Sequence, residues 1–320
     1  MRKLDLQKIV FGHLPLLGIS YQGREQDEKN RRKFSDKNEM KRVLKAALRE
    51  GIGFFAASSP SFCELAPIYL DAVEEVESEE ETELALIMHV GTPLELRGKR
   101  LDDYRRWKTH LEHESSLYGK ETAGRFFEDP VLNCRHGWKN DLEGAKPYKL
   151  EKLKRDLKVN WKLWEESLDR LSDHNIAWIE PGSETDLLAI SRIDLLGELL
   201  DRIQELGFRA LLGSHHFGNS APLITKEKLR GFDGYVTPIN KKGVMMFPTQ
   251  KRVERTIAGI REEGKLVVAI KPLAGGRIRP REALTYVYRN IKADSCMIGV
   301  GSVEEAEEDF QTARSILASG

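Results

Sequence analysis

A closed (β/α)8 barrel of the TIM type, with a long insertion after its third strand, is the fold class this sequence predicts. Three observations predict it. Eight short apolar runs bounded by turn residues alternate with longer stretches of helical period, as repeated strand–helix units around a parallel sheet require. The runs are almost continuously apolar, the pattern of strands buried on both faces. The helical stretches also begin and end on recognisable capping residues.

The expected strands are 14–19, 54–58, 84–89, 176–180, 209–213, 234–239, 266–271 and 295–299. Ser35-Asp36 precedes the first helical stretch, and Ser183 with Asp186 precedes the fourth. Ser302 with Glu305 forms a Ser-x-x-Glu capping box at the last. Gly51, Gly207 and Gly264 stand where a left-handed residue ends a helix shortly before the next strand. Eight such units fit one domain spanning the 320 residues. The rhythm breaks at 93–150, a polar, aromatic-rich segment with Tyr104, Trp107, Phe126, Phe127, Cys134, His136 and Trp138. A structureless connection of that length is improbable inside a domain, so it is expected to fold as a lid or subdomain over the mouth. The acidic run 74–83 reads as a solvated helix end on the opposite, stability face.

Composition excludes several classes of function. The 51 Lys and Arg balance 51 Asp and Glu, so no basic field exists to hold nucleic acid or an anionic membrane. No run of about 18 uncharged apolar residues occurs, and the first six residues carry an early acid and no apolar core. Cys63, Cys134 and Cys296 are too far apart for a disulfide framework or a thiolate cluster. The expectation is a cytoplasmic protein acting on a small molecule.

In such a barrel the strand C-termini and the loops after them build the site. The candidates are Tyr21, Ser58, Ser59, His89, Glu180, His215, His216, Asn240 and Lys271, each directly after a buried run. Only one of His215 and His216 can face the axis of an extended strand. A carboxylate at Glu180 and an ammonium at Lys271 are costly in an apolar barrel unless paired, and each is the other's obvious partner. Gly275, Gly276 and Arg277 follow strand seven, and Gly301 and Ser302 follow strand eight and open a capped helix. Exposed backbone N–H groups at these two loops are where barrels commonly bind phosphate.

Gly51-Ile52-Gly53-Phe54-Phe55, the 164–171 helix, Gly207-Phe208-Arg209-Ala210 through Ser214-His215-His216, Ile239-Asn240, 271–277 and 298–305 together resemble the aldo-keto reductase superfamily. They are most similar to the branch with a ferredoxin-type extension, although that extension is lacking here. The resemblance implies a barrel that binds NADP or NAD across its mouth and reduces carbonyls with an Asp, Tyr, Lys and His set. At those four positions this sequence has Ala56, Ser61 or Phe62, His89 and Glu180. Loss of the proton donor removes roughly 10²- to 10⁴-fold of rate.

Three readings follow. The first is a divergent nicotinamide-dependent oxidoreductase. Here His89, Glu180, His216, Lys271 and Tyr21 supply the catalytic groups, and Asn240, Gly275, Gly276, Arg277, Gly301 and Ser302 hold the cofactor. The second is a metal-assisted hydrolase or isomerase that uses His89, Glu180 and His216. The third is a non-catalytic barrel that binds a phosphorylated ligand.

Overall fold

The computed structural model describes residues 6–168 and 171–319, with Ser172 described in its backbone only. The first five residues, and Asp169 and Arg170 of the 164–171 helix motif, lie outside the described residues.

Eight parallel strands form the barrel: β1 Ile9–Gly12, β2 Phe54–Ser58, β3 Ala85–His89, β4 Ile176–Glu180, β5 Leu211–Gly213, β6 Gly234–Pro238, β7 Leu266–Ile270 and β8 Ser295–Gly299. Their order is β4-β3-β2-β1-β8-β7-β6-β5. The ring closes through a parallel bridge between Ile179 and Ala210 and a 2.8 Å bond from the Ile179 N–H to the Arg209 carbonyl. The expected fold class is therefore the observed one.

Strands two to eight fall on the expected runs, and strand one does not. The run 14–19 contains a 3-10 helix, Leu14–Leu17, and the strand is the shorter Ile9–Gly12 just before it. Pro15 accounts for the difference: it has no N–H for a ladder and sits comfortably in the first turn of a helix.

The helices are α1 Arg24–Phe34, α2 Lys37–Arg49, α3 Leu65–Glu79, α4 Asp103–Tyr118, α5 Glu121–Glu128, α6 Trp138–Gly144 and α7 Leu150–Asp156. They continue with α8 Trp161–Glu166, α9 Glu184–Ser191, α10 Ile193–Glu205, α11 Phe217–Lys226, α12 Gln250–Glu262, α13 Pro280–Thr285 and α14 Val303–Ala318. Asp36 caps α2 by accepting from the Asn38 N–H, and Ser302 caps α14 by accepting from that of Glu305. Gly51, Gly207 and Gly264 all adopt positive φ. The acidic run does more than face water. Glu75, Glu79 and Glu80 meet Lys37, Lys41 and Lys45 of α2 in a ladder of ion pairs.

Three apolar clusters organise the molecule. One fills the barrel interior with Val10, Phe54, Ile87, Trp178, Val236 and Val268 among others, and a second lies between strands and helices. The third joins Trp107, Phe126 and Trp138 of the long excursion to Val244, Met245 and Phe247 after β6 and to Ala274 and Ile278 after β7. That excursion leaves at Leu94–Leu96 and returns at Leu157–Val159, paired antiparallel. Asp129 fastens it to the barrel by accepting a 2.6 Å bond from the Met245 N–H. All three cysteines are free, and among the described residues no helix is long and apolar enough to cross a membrane.

Candidate active site at the barrel mouth

Strand alternation decides which side chains reach the axis. Phe54 and Ala56, Ala85 and Ile87, Trp178 and Leu211 fill the interior, so the next residues in phase are Ser58, His89, Glu180 and Gly213. All four line a cavity of about 700 Å³ at the C-terminal mouth, a volume suited to a small ligand.

A register irregularity sets the central pair. Leu86 faces Ile176 but Ile87 faces Trp178, so β4 carries one extra residue and His89 lies opposite Glu180. Without that slip His89 would stand level with Ile179, a residue of the outer cluster. His89 Nδ1 is 2.6 Å from Glu180 Oε2, and Glu180 Oε1 accepts a 3.0 Å bond from the Gly182 N–H. The carboxylate occupies the space over Gly213, where a Cβ would stand 1.7 Å from Oε1. Burial works to lower the His89 pKa, but the charge and hydrogen bond of Glu180 outweigh it, and the net direction is upward.

Lys271, at a φ of 55°, is also on the wall. Its Nζ donates to His215 Nε2 over 3.0 Å and lies 4.8 Å from the Tyr21 ring centroid. Burial, reinforced by the Lys271 charge, holds the His215 pKa well below the usual imidazole range, so a neutral ring accepts the ammonium. His13 follows β1, with Nε2 2.7 Å from Ser58 Oγ. Burial, and then His89, push its pKa down to about 3.

The expected pairing of Glu180 with Lys271 is not formed. Glu180 takes the imidazole that its neighbouring strand delivers and Lys271 takes His215, although all four line the same cavity. Tyr21, Gly275, Gly276, Arg277 and Gly301 line it too; His216, Asn240 and Ser302 do not. His216 turns away from the axis beneath α4, 3.0 Å from Glu114 Oε1 and stacked at 3.9 Å on His110. The trio His89, Glu180 and His216 is thus not assembled, and no cluster of three or more His, Cys, Asp or Glu among the described residues could hold a metal. Asn240 is buried and bonded in both directions to the Val244 backbone, which shapes the loop after β6. Of the four positions where the family's catalytic set was expected, Ala56, Phe62, His89 and Glu180 reach the cavity.

Sequence reasoning missed His13, Arg106 and Asp309 on this wall. His13 was findable, since it directly follows the true first strand. Arg106 comes from α4 and bonds Glu184 at 2.5 Å, which no sequence pattern signals.

A nicotinamide cofactor would need its pyrophosphate held by the loops after β7 and β8, and the residues present do not fit a pyrophosphate. The Gly301 N–H already donates to Glu305 Oε2 at 2.6 Å, and the Glu305 N–H to Ser302 Oγ. Arg277 donates to the carbonyls of Tyr21, Ala274 and Gly275 at 2.8, 3.0 and 3.3 Å, and to that of Pro130 at 3.3 Å. Glu305, Glu308 and Asp309 line the same end of the cavity.

No protein-family model matches the sequence, and no curated protein matches it. Solved structures do. A Pseudomonas aeruginosa protein provisionally assigned as an aldo-keto reductase superposes with a TM-score of 0.55 at 14% identity, covering 98% of this chain and 92% of that one. A second structure so assigned from the same organism gives 0.55 at 13%, over 98% and 92%. This chain has the (β/α)8 fold of those proteins along nearly its whole length.

Proposed function

We propose that this barrel, of the fold found in aldo-keto reductases, is an acid–base catalyst that moves a proton to and from a carbonyl- or hydroxyl-bearing small molecule at its mouth. The observation that carries the reading is the 2.6 Å His89–Glu180 contact on the cavity wall. Glu180 holds Nδ1 and fixes the ring, which leaves Nε2 to exchange a proton with the ligand. The upward direction of the His89 pKa favours an imidazolium able to donate near neutrality. The Lys271 ammonium, bonded to His215, lies on the same wall, where it would stabilise negative charge developing on a ligand oxygen. Helix α4 covers this region through the Arg106–Glu184 pair, and in this reading the excursion acts as a lid that excludes water. Three free thiols suit the reducing cytoplasm.

The test is hydrogen–deuterium exchange at the carbon beside the carbonyl, followed by NMR over a panel of small aldehydes, ketones and hydroxy acids. Catalysed exchange that disappears in His89→Ala and Glu180→Gln is expected. Exchange equal in wild type and both variants for every compound overturns the reading. A nicotinamide-dependent oxidoreductase is the second reading, favoured by the shared fold and opposed by the loops after β7 and β8, which do not fit a pyrophosphate. Tryptophan quenching by NADPH or NADH at micromolar cofactor would promote it to first place.

A further inference from the structure

The cavity has a second end, and its chemistry is opposite to the one the loops after β7 and β8 suggest. Helices α1 and α14 build it, with Gln26 and Asn30 from the first and Glu305, Glu308 and Asp309 from the second. The amide donors there already have partners: Gln26 Nε2 donates to Asn30 Oδ1 at 2.8 Å, and Asn30 Nδ2 to the Pro15 carbonyl at 3.1 Å. Each amide still has a second N–H, but the only charged groups that these two helices bring to the cavity, among the described residues, are the three carboxylates.

Asp309 is the decisive residue. It is only 4% exposed, it lines the cavity, and among the described residues its carboxyl has no hydrogen-bond or ion-pair partner. An unpaired buried carboxylate is costly, and folded proteins rarely keep one without a use. Burial, and then Glu305 and Glu308, push its pKa up to about 7. The nearby cation Lys33 donates to the Gly301 carbonyl, 2.9 Å away, and Arg277 is held by the carbonyls described above.

We propose that this end of the cavity binds a cationic nitrogen of the ligand, a primary ammonium or guanidinium group, between Asp309, Glu308 and Glu305. A positive group would give Asp309 the partner it lacks and relieve the repulsion among the three acids. The ligand is then a small amine that presents its carbonyl or hydroxyl to His89 and its positive end to α14. Only that description of the whole ligand rests on the acid–base reading; the cation site itself does not.

Isothermal titration of the full chain with agmatine and putrescine, at low ionic strength and pH 8, tests the site. 1,4-Butanediol, succinate and inorganic pyrophosphate serve as neutral and anionic probes. The amines are expected to bind at millimolar concentration or tighter, the diol and the anions more weakly, and affinity to fall as pH drops from 8 to 6 while Asp309 takes up a proton. Asp309→Asn, which keeps the shape, should weaken agmatine at least tenfold, about 1.4 kcal/mol, and Glu308→Gln should weaken it less. No heat with either amine, pyrophosphate binding tighter than agmatine, or an Asp309→Asn affinity equal to wild type would each overturn the proposal. His89→Ala, titrated in parallel, separates the two readings. If it keeps amine affinity but wild type shows no exchange activity, the cation site stands without the catalyst.

Discussion

Two histidine–carboxylate pairs in this molecule place the same functional groups in different surroundings. His89 and Glu180 meet at 2.6 Å with side chains 26% and 14% exposed, and His216 and Glu114 meet at 3.0 Å with 4% and 0%. The first pair tops neighbouring strands and borders open space. The second is sealed beneath α4, among Trp107, Phe126 and Phe247, with His110 stacked against it. Among the described residues, Glu114 Oε2, His110 Nδ1 and Trp107 Nε1 there have no protein partner. What separates the two pairs is access to a ligand-sized volume rather than residue type, and the proposed chemistry belongs to the pair that has it.

The largest expected effect is on turnover. Once a substrate is in hand, Glu180→Gln and His89→Ala should each lower kcat/KM by roughly 10²- to 10⁴-fold while the thermal midpoint moves little. Substituting Glu114 should do the reverse. Glu114→Ala leaves a buried His216 ring nitrogen without its partner, and is expected to cost about 1–3 kcal/mol of stability by urea titration. A small change in stability there, or a loss of turnover without unfolding, would erase the distinction between the pairs.

Gly213→Ala probes the first pair from outside. Its Cβ would collide with Glu180 Oε1, so the carboxylate must leave its seat. Activity should fall toward that of Glu180→Gln, with a stability loss of about 1–3 kcal/mol from overpacking.

The smallest effect is in pH dependence, where His89 and His110 have opposite signs. The folded pKa of His89 is raised, so its stabilisation is complete below the unfolded value near 6.5 and is lost as pH rises through the folded value. His110 is driven well below its usual value, first by burial and then by His216. The unfolded chain therefore binds the extra proton, and stability at His110 falls as pH drops below about 6.5. Urea midpoints between pH 5 and 8 should lose their high-pH component in Glu180→Gln and weaken at low pH in wild type. A flat profile in both would contradict these assignments.

Seven of the eight strands were legible because a parallel strand buried on both faces writes itself as an apolar run. Strand one was not, because Ile9-Val10-Phe11 is shorter than the proline-containing run after it, and that slip hid His13. The candidate site was legible only as a set of strand ends. Alternation could say that one of His215 and His216 faces the axis, but the choice depends on Glu114, 102 residues away. The meeting of His89 with Glu180 depends on a one-residue slip between β3 and β4, which no local pattern encodes. Asn240 and Arg277 occupied positions typical of ligand contacts, yet their polar atoms serve nearby backbone.

The seat of Glu180 above Gly213 also makes a statement about descent. A carboxylate at 180 and the missing side chain at 213 are two halves of one fitting, drawn from adjacent strands. Natural relatives that keep the acid should keep the glycine, whereas those that have exchanged the acid for a smaller or neutral residue are free to grow a methyl group beneath it. Drift at the two sites should therefore be synchronised, a signature readable from sequences alone.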